Sequence, residues 1–181
     1  MDIYLVSLKN DIKRREELKK RFPKYYNSFK ILDAIDGRQF NAKEYFQQTS
    51  HFVKFYSRMM SPSELGCSLS HVNILNDFLS LSEELALVLE DDVLGTDNDI
   101  EEIIEISKRL SENSLLICGC QDGLGSSKYL YGKKTNIDRI FELSEFSNNF
   151  VTRTAAYVVT KSSAKAILDY QNKEIMLADN W

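Results

Sequence analysis

Short apolar runs alternate along this chain with longer segments whose apolar residues recur at helical spacing, and this alternation limits the folds open to it. Short runs of this kind are typical of buried strands. The predicted strands span residues 3–8, 29–35, 85–89, 115–118, 137–143 and 151–160. The predicted helices lie between Asn10 and Pro23, from 61 to 79, from Thr96 or Asp97 to 110, and at 162–170. The alternation predicts an α/β fold with a mainly parallel central sheet flanked by helices.

The clearest helix start is at residues 61–64. Ser61 stands at the cap, Pro62 at the first helical position and Glu64 at the third, which together form a capping box. Asn10 is the predicted cap of the first helix. Residues 40–60 are rich in aromatic side chains and irregular, with room for one short helix.

The net charge and the distribution of apolar residues argue against some classes of function. The net charge of −4 argues against a nucleic-acid partner, although residues 9–24 carry eight Lys/Arg and three Asp/Glu. This basic segment could contact phosphates or the anionic inner face of a membrane, or simply be a solvated helix face. The N-terminus lacks the pattern of a secretory signal, and no apolar run is long enough to cross a bilayer. A cytoplasmic protein, with peripheral contact at the inner membrane as an option, is therefore expected.

The cysteines do not indicate a disulfide framework. There are three, Cys67, Cys118 and Cys120, and only two histidines accompany them, which also disfavours a zinc-finger type of site. Cys118 and Cys120 alternate with a glycine at the end of a predicted strand, where small buried side chains are expected.

Three adjacent carboxylates follow the apolar run at 85–89, and they carry the most chemical information. Their mutual repulsion must be relieved, and a hard divalent cation with oxygen ligands is the simplest means. If the strand continues, its alternation places Glu90 and Asp92 on one face and Asp91 on the other. Glu90 and Asp92 are then the predicted ligands of Mg²⁺ or Mn²⁺, which commonly bridges protein carboxylates and substrate phosphates. The alternative is that one acid caps a turn and the others are solvated.

Ligands of parallel sheets bind beyond the carboxyl ends of the strands. That rule points to residues 7–15, to the turn at Asp36 and Gly37, and to the acidic triplet. Arg14 and Arg15, beside a strand end, could supply guanidinium groups to phosphates.

Glu64 and His71 lie seven residues apart on one helix and therefore share a face. Glu64 could act only as a cap, and His71 could be a hydrogen-bonded structural histidine. A metal site formed by Glu64, Cys67 and His71 is a further option, although a single helix rarely suffices. Asp179 stands close to the end of the sequence.

The order of these motifs resembles glycosyltransferase family 25, the lipooligosaccharide galactosyltransferase type. The most specific block is Ser-Glu-Leu-Gly-Cys-Ser-Leu-Ser-His at residues 63–71, followed by Leu-Val-Leu-Glu-Asp-Asp-Val at 87–93. The other blocks are 3–8 with Arg14 and Arg15, 33–37, and 154–160 with Ala164 and Asp179.

The resemblance implies a GT-A-like nucleotide-diphospho-sugar fold, a divalent metal, a UDP-sugar donor and an inverting transfer. Galactose from UDP-galactose would move onto a lipooligosaccharide or another glycan or glycolipid acceptor. Two departures are Ala155 or Ala156 where the family often has glycine, and an early end after Asp179. A single domain over 1–181, C-terminally short relative to the family, is expected.

The residues and the resemblance together give the expected site. Its members are Glu90 and Asp92 as metal ligands, Ser7, Leu8, Arg14, Asp36, Gly37 and Asp91 around the donor, and Asp179, Glu64 and His71 as catalytic candidates, with Asp179 as the base. Residues 40–60 and 121–136 are candidates for the acceptor side.

Two alternatives remain open. One is a truncated transferase fold that binds partners without turnover. The other is a Mg²⁺-binding signalling receiver domain, which would place its acid pair after the first strand rather than after the third.

Overall fold

The computed structural model describes residues 1–180, so Trp181 of the predicted 1–181 domain lies outside the described part. The strands are β1 (Asp2–Ser7), β2 (Lys30–Asp33), β3 (Leu85–Glu90), β4 (Leu115–Ile117), β5 (Gly132–Lys134), β6 (Phe141–Leu143) and β7 (Ala156–Thr160). The helices are α1 (Ile12–Arg21), α2 (Ala42–Thr49), α3 (Phe52–Tyr56), α4 (Pro62–Ser80), α5 (Asp97–Ser107) and α6 (Lys161–Gln171). The predicted mixture of strands and helices is confirmed.

Five strands form the central sheet in the order β2-β1-β3-β7-β4. β1 pairs in parallel with β2 and β3, whereas β7 is antiparallel to both β3 and β4. Four strands therefore run in one direction and β7 in the other. The mainly parallel sheet predicted from the sequence is confirmed, and this layout is consistent with a nucleotide-sugar transferase fold.

Helices cover both faces of the sheet because strand side chains alternate. One face carries Tyr4, Val88 and Tyr157, which pack against α4 and α6. The opposite face carries Leu5, Leu87 and Val158, which pack against α1 and α5. A third apolar cluster, around Phe52, Met60 and Leu65, fixes the segment that precedes α4.

Four sequence predictions need correction. Residues 137–143 contribute only β6, which pairs with β5 in a separate two-stranded sheet. Residues 151–155 are not strand, and β7 begins at Ala156. Residues 40–60 hold two helices rather than one, of which α2 starts with a capping box at Asn41. Asp11, not Asn10, precedes α1, and its side chain makes no cap hydrogen bond.

The predicted start of α4 is confirmed. The Ser61 hydroxyl accepts from the Glu64 amide at 3.2 Å, and the Glu64 carboxylate accepts from the Ser61 amide at 2.7 Å. Pro62 occupies the first turn, where its missing N–H costs no hydrogen bond.

Replacing Ser61 by alanine should lower the free energy of unfolding by about 1 kcal/mol, because an amide at the helix start loses its acceptor. Ser63→Ala is the matched control, since Ser63 is exposed in the same turn. It should stay within about 0.5 kcal/mol of the wild type. Urea unfolding of both variants measures the difference, and equal effects of the two substitutions would contradict the capping role.

Candidate active site

The carboxyl ends of the parallel strands meet at one edge of the sheet. β1 ends at Ser7, β2 at Asp33 and β3 at Glu90. The middle of α4 reaches the same edge, because His71 lies 3.5 Å from the Glu90 carboxylate. The segment before β7 also arrives here, since the Thr154 hydroxyl donates a hydrogen bond to Glu90. Side chains from β3, α4 and the segment before β7 therefore meet here, beside the ends of β1 and β2.

The acidic triplet occupies the strand end and the turn that follows. β3 ends at Glu90, and the Val93 amide donates to the Glu90 carbonyl at 3.3 Å, which closes a turn over Asp91 and Asp92. The strand alternation used to pair Glu90 with Asp92 therefore stops at Glu90. The Arg14 guanidinium donates a hydrogen bond to the Asp91 carboxylate at 2.6 Å, and the Asp91 side chain is only 8% exposed. Asp92 is exposed at the rim.

The three acids differ in their electrostatics. Burial raises the pKa of Glu90, but His71, Thr154 and Arg14 outweigh it, so the pKa of Glu90 is lowered overall. The pKa of Asp92 is raised, first by partial removal of its carboxylate from water and then by the charge of Glu90, despite the opposing effect of Arg14. Among residues 1–180, Asp92 forms no ion pair within 4.0 Å. The site therefore carries negative charge that the nearby cations do not balance.

A thiol, an imidazole and a carboxylate meet beside the triplet. One ligand atom from each of Cys67, His71 and Glu90 lies within 4.8 Å of the other two. His71 Nδ1 is 2.8 Å from the Tyr157 hydroxyl, while His71 Nε2 is buried and lacks a hydrogen-bond partner among residues 1–180. Burial, followed by the charge of Glu90, raises the pKa of Cys67 to about 12. The cysteine is therefore a neutral thiol at physiological pH.

Glu64, expected as a catalytic candidate, is held away from this group. Its carboxylate takes a bidentate pair of hydrogen bonds from Arg58, at 2.7 and 2.8 Å, and caps α4 through Ser61. Arg58 is the main cause of a Glu64 pKa of about 2. The option of a metal site formed by Glu64, Cys67 and His71 is replaced by one in which Glu90 takes the place of Glu64.

The Glu64 interactions predict a pH dependence of stability. The folded-state pKa of about 2 lies below the usual 4.5, so the contribution is complete above pH 4.5 and is lost as the pH falls towards 2. Glu64→Gln should lower stability at neutral pH and flatten its dependence between those values. Urea unfolding at a series of pH values measures this, and parallel curves for the two proteins would contradict it.

Arg15, rather than Arg14, contacts the end of β1. Its guanidinium donates to the Ser7 hydroxyl at 3.0 Å, to the Ser7 carbonyl at 2.9 Å and to Asp33 at 3.0 Å. Arg15 thus ties the ends of β1 and β2 together. Leu8, the next residue along, is half-buried.

The turn at Asp36 and Gly37 packs against the start of α4. The Asp36 carboxylate accepts hydrogen bonds from Arg38 and has a pKa of about 2 as a result. A Cβ on Gly37 would lie 1.8 Å from the Pro62 carbonyl oxygen, so only glycine fits here. A Cβ on Gly66 would likewise lie 2.4 Å from the Ile35 carbonyl oxygen. These backbone contacts set the position of the first turns of α4.

Asp179 lies on the side of the site formed by the segment before β7. Its carboxylate accepts from the Arg153 amide at 2.8 Å, directly before Thr154. Its charge is also among those that raise the pKa of Cys67. Glu90, Asp92, Cys67 and Asp179 therefore share one electrostatic environment.

Thr154 and Tyr157 were missed as site residues by sequence reasoning, and Cys67 was not paired with Glu90. The spacing of Cys67 and His71 already puts them on one helix face. Thr154 and Tyr157 reach the site only because β7 lies between β3 and β4 and runs antiparallel to both.

The basic segment at 9–24 is partly neutralised within the fold. Lys24 pairs with Glu101 at 2.6 Å, in addition to the contacts of Arg14 and Arg15. Within residues 1–180, none of the helices combines the length and apolar character needed to cross a bilayer.

A sequence model of "Glycosyltransferase family 25 (LPS biosynthesis protein)" matches residues 1–181, and the chain belongs to this family. A glycosyltransferase 25 family member of Anopheles gambiae is 32% identical over 96 residues, which cover 50% of this chain and 16% of the relative. Procollagen galactosyltransferase 1-B of Xenopus laevis is 29% identical and procollagen galactosyltransferase 2 of Homo sapiens 28% identical, each over 97 residues, covering 51% of this chain and 16% of the relative. The chain thus matches only 16% of the length of these relatives.

Proposed function

We propose that this chain is a metal-dependent glycosyltransferase that moves a hexose from a nucleotide diphosphate donor to a surface-glycan acceptor with inversion. Galactose from UDP-galactose is the first donor to test, because two of the similar proteins are named galactosyltransferases. The acceptor class that fits the family description is a lipooligosaccharide or another glycan.

The observation that carries the proposal is the unbalanced acid group at the sheet edge. Arg14 forms an ion pair with Asp91, so the negative charges of Glu90 and the exposed Asp92 are not balanced by an equal number of nearby positive charges. A half-buried carboxylate and an exposed one fit a hard divalent cation such as Mn²⁺ or Mg²⁺. Glu90 and Asp92 would hold such an ion, which would supply positive charge to offset the negative charge that develops on the leaving UDP.

The donor would lie across the ends of β1 and β3. Arg14 is half exposed beside Asp91, so its remaining N–H groups can reach a phosphate. Arg15 holds Ser7, the residue before Leu8, and the Asp36–Gly37 turn follows β2, the neighbour of β1. These groups would bind and orient the nucleotide.

Asp179 is the proposed general base. It removes the proton from an acceptor hydroxyl, whose oxygen forms a bond to the anomeric carbon, while the bond to the diphosphate breaks and its electron pair leaves with UDP. Glu64 is less suited to this step because its pKa of about 2 makes it a weak base. The buried His71 would position Glu90 instead of contacting the acceptor.

The acceptor would approach over exposed aromatic side chains in residues 40–60 and 121–136, the two regions predicted for the acceptor side. Phe46 and Phe55 lie on α2 and α3, and Tyr131 precedes β5, each with more than half of its side chain exposed. Sugar rings pack favourably on such surfaces. A site of action on the cytoplasmic side of the inner membrane, with α1 near anionic lipid, stays a prediction.

A donor-hydrolysis screen tests the proposal. UDP-galactose, UDP-glucose and UDP-N-acetylglucosamine are each incubated with the protein, with and without Mn²⁺. We expect UDP release that depends on Mn²⁺ for at least one donor. With an acceptor found for that donor, Asp179→Asn should slow transfer about 10²–10⁴-fold. Absence of both UDP binding and hydrolysis for all three donors would contradict the proposal.

A further inference from the structure

Cys67 has no role in the proposed donor site and His71 only positions Glu90 there, yet both converge with Glu90. Cys67 and His71 are four residues apart on α4 and share a face, while Glu90 comes from the end of β3. Two elements thus supply three different ligand types, whose atoms all lie within 4.8 Å of one another. We call these three residues the mixed-donor site.

His71 points an unsatisfied atom into this group. Its side chain is only 5% exposed, and Nε2 has no hydrogen-bond partner among residues 1–180, with Glu90 Oε1 at 3.5 Å. Buried polar atoms are usually satisfied, so an exception calls for an explanation such as an ion. A metal ion bonded to Nε2 would satisfy it.

Neighbouring hydroxyls hold two of the ligands in place. The Tyr157 hydroxyl is 2.8 Å from His71 Nδ1, and Thr154 donates to Glu90. When Nδ1–H donates to the Tyr157 oxygen, the lone pair of Nε2 faces Glu90 and Cys67. Metal-ligating histidines are commonly oriented by such a second hydrogen bond.

We propose that the mixed-donor site binds a Zn²⁺-class ion through Cys67, His71 and Glu90, with one coordination position left open. Sulfur and imidazole ligands favour Zn²⁺ or Co²⁺, whereas Mn²⁺ and Mg²⁺ favour oxygen. Three protein ligands with an open fourth position are typical of accessible zinc sites. The ligand form of cysteine is the thiolate, so binding releases the Cys67 proton to solvent.

This site goes beyond the proposed function and does not depend on it. The two sites share Glu90, so occupancy by a Zn²⁺-class ion would remove one carboxylate from the donor-binding ion. Micromolar Zn²⁺ should therefore compete with Mn²⁺-dependent UDP binding.

Titration of the metal-free full chain with Co²⁺ tests the proposal, because Co²⁺ reports its ligands by absorption. We expect saturation at one equivalent, with visible bands of a tetrahedral ion and a near-ultraviolet band from sulfur-to-cobalt charge transfer. Cys67→Ser should remove the charge-transfer band and weaken Co²⁺ binding at least about tenfold. Cys118→Ser is the matched control. Cys118 is a half-buried thiol outside the mixed-donor site, and its pKa is also about 12. The Cys118→Ser protein should retain both the charge-transfer band and the Co²⁺ affinity.

The proposal would be overturned by the absence of a charge-transfer band in the wild type, by its survival in Cys67→Ser, or by its loss in Cys118→Ser. Asp92→Asn separates the two sites, since it should lose Mn²⁺-dependent UDP binding and keep the Co²⁺ band. Loss of the Co²⁺ band in this variant would contradict a separate site. A Co²⁺ band in a protein that binds no UDP would uphold the mixed-donor site and defeat the transferase proposal alone.

Discussion

Replacing Asp92 by alanine is expected to abolish the binding of Mn²⁺ at the sheet edge, with affinity reduced at least about 100-fold. Groups that only support metal ligands already contribute about 10–100-fold. Partial burial, followed by the charge of Glu90, raises the pKa of Asp92, and Asp92 forms no ion pair within 4.0 Å among residues 1–180. Loss of the free Mn²⁺ electron paramagnetic resonance signal on titration, with UDP present, measures the affinity.

The control for this experiment is Asp138→Ala. Asp138 is an aspartate with 87% of its side chain exposed, and it lies in the segment between β5 and β6. Its removal changes the net charge by the same amount but should leave Mn²⁺ affinity unchanged. Equal Mn²⁺ affinity in Asp92→Ala and the wild type would show that Asp92 is not a ligand of the ion.

Gly37→Ala is expected to destabilise the fold by about 3 kcal/mol or more, at the upper end of the range for overpacked sites. The new Cβ would lie 1.8 Å from the Pro62 carbonyl oxygen and 3.0 Å from the Gly66 amide nitrogen. Both neighbours are backbone atoms and cannot turn aside as a side chain could. The midpoint of thermal unfolding should fall by roughly 6–12 °C for a chain of this size.

Gly125→Ala is the matched control for this substitution. A Cβ at Gly125 meets nothing within 4 Å, so stability should be unchanged or slightly higher. Guanidinium unfolding of the two variants and the wild type gives the comparison. A Gly37→Ala protein as stable as Gly125→Ala would show that the turn at 36–37 does not depend on close contact with α4.

Local sequence signals predicted the sheet and the best helix start, because each depends on a few adjacent residues. The apolar run at 85–89 is β3 almost to the residue, and the capping box at Ser61 forms as expected. The acids that follow the run do lie at the carboxyl edge of the sheet, as the rule for parallel strands requires.

Long-range partners could not be predicted in the same way. Nothing in residues 151–160 shows that this segment starts late and runs antiparallel, yet that arrangement brings Thr154 and Tyr157 to Glu90 and His71. The pairing of Arg14 with Asp91 could not be predicted either, because the two residues are 77 positions apart in the sequence.

Glu64 shows what a local motif leaves undetermined. The capping box was correctly predicted, but the shared helix face with His71 made Glu64 a catalytic candidate as well. Arg58, six residues earlier, forms the bidentate pair that commits the Glu64 carboxylate to the start of α4. The place beside His71 is filled by Glu90 from another element.

Isothermal calorimetry of UDP with the wild-type chain, in the presence and absence of Mn²⁺, tests the central claim most directly. If the edge carboxylates bind an ion that binds a diphosphate, UDP should bind at one site and only when Mn²⁺ is present. UDP binding of equal strength without Mn²⁺, or no binding under either condition, would contradict the account.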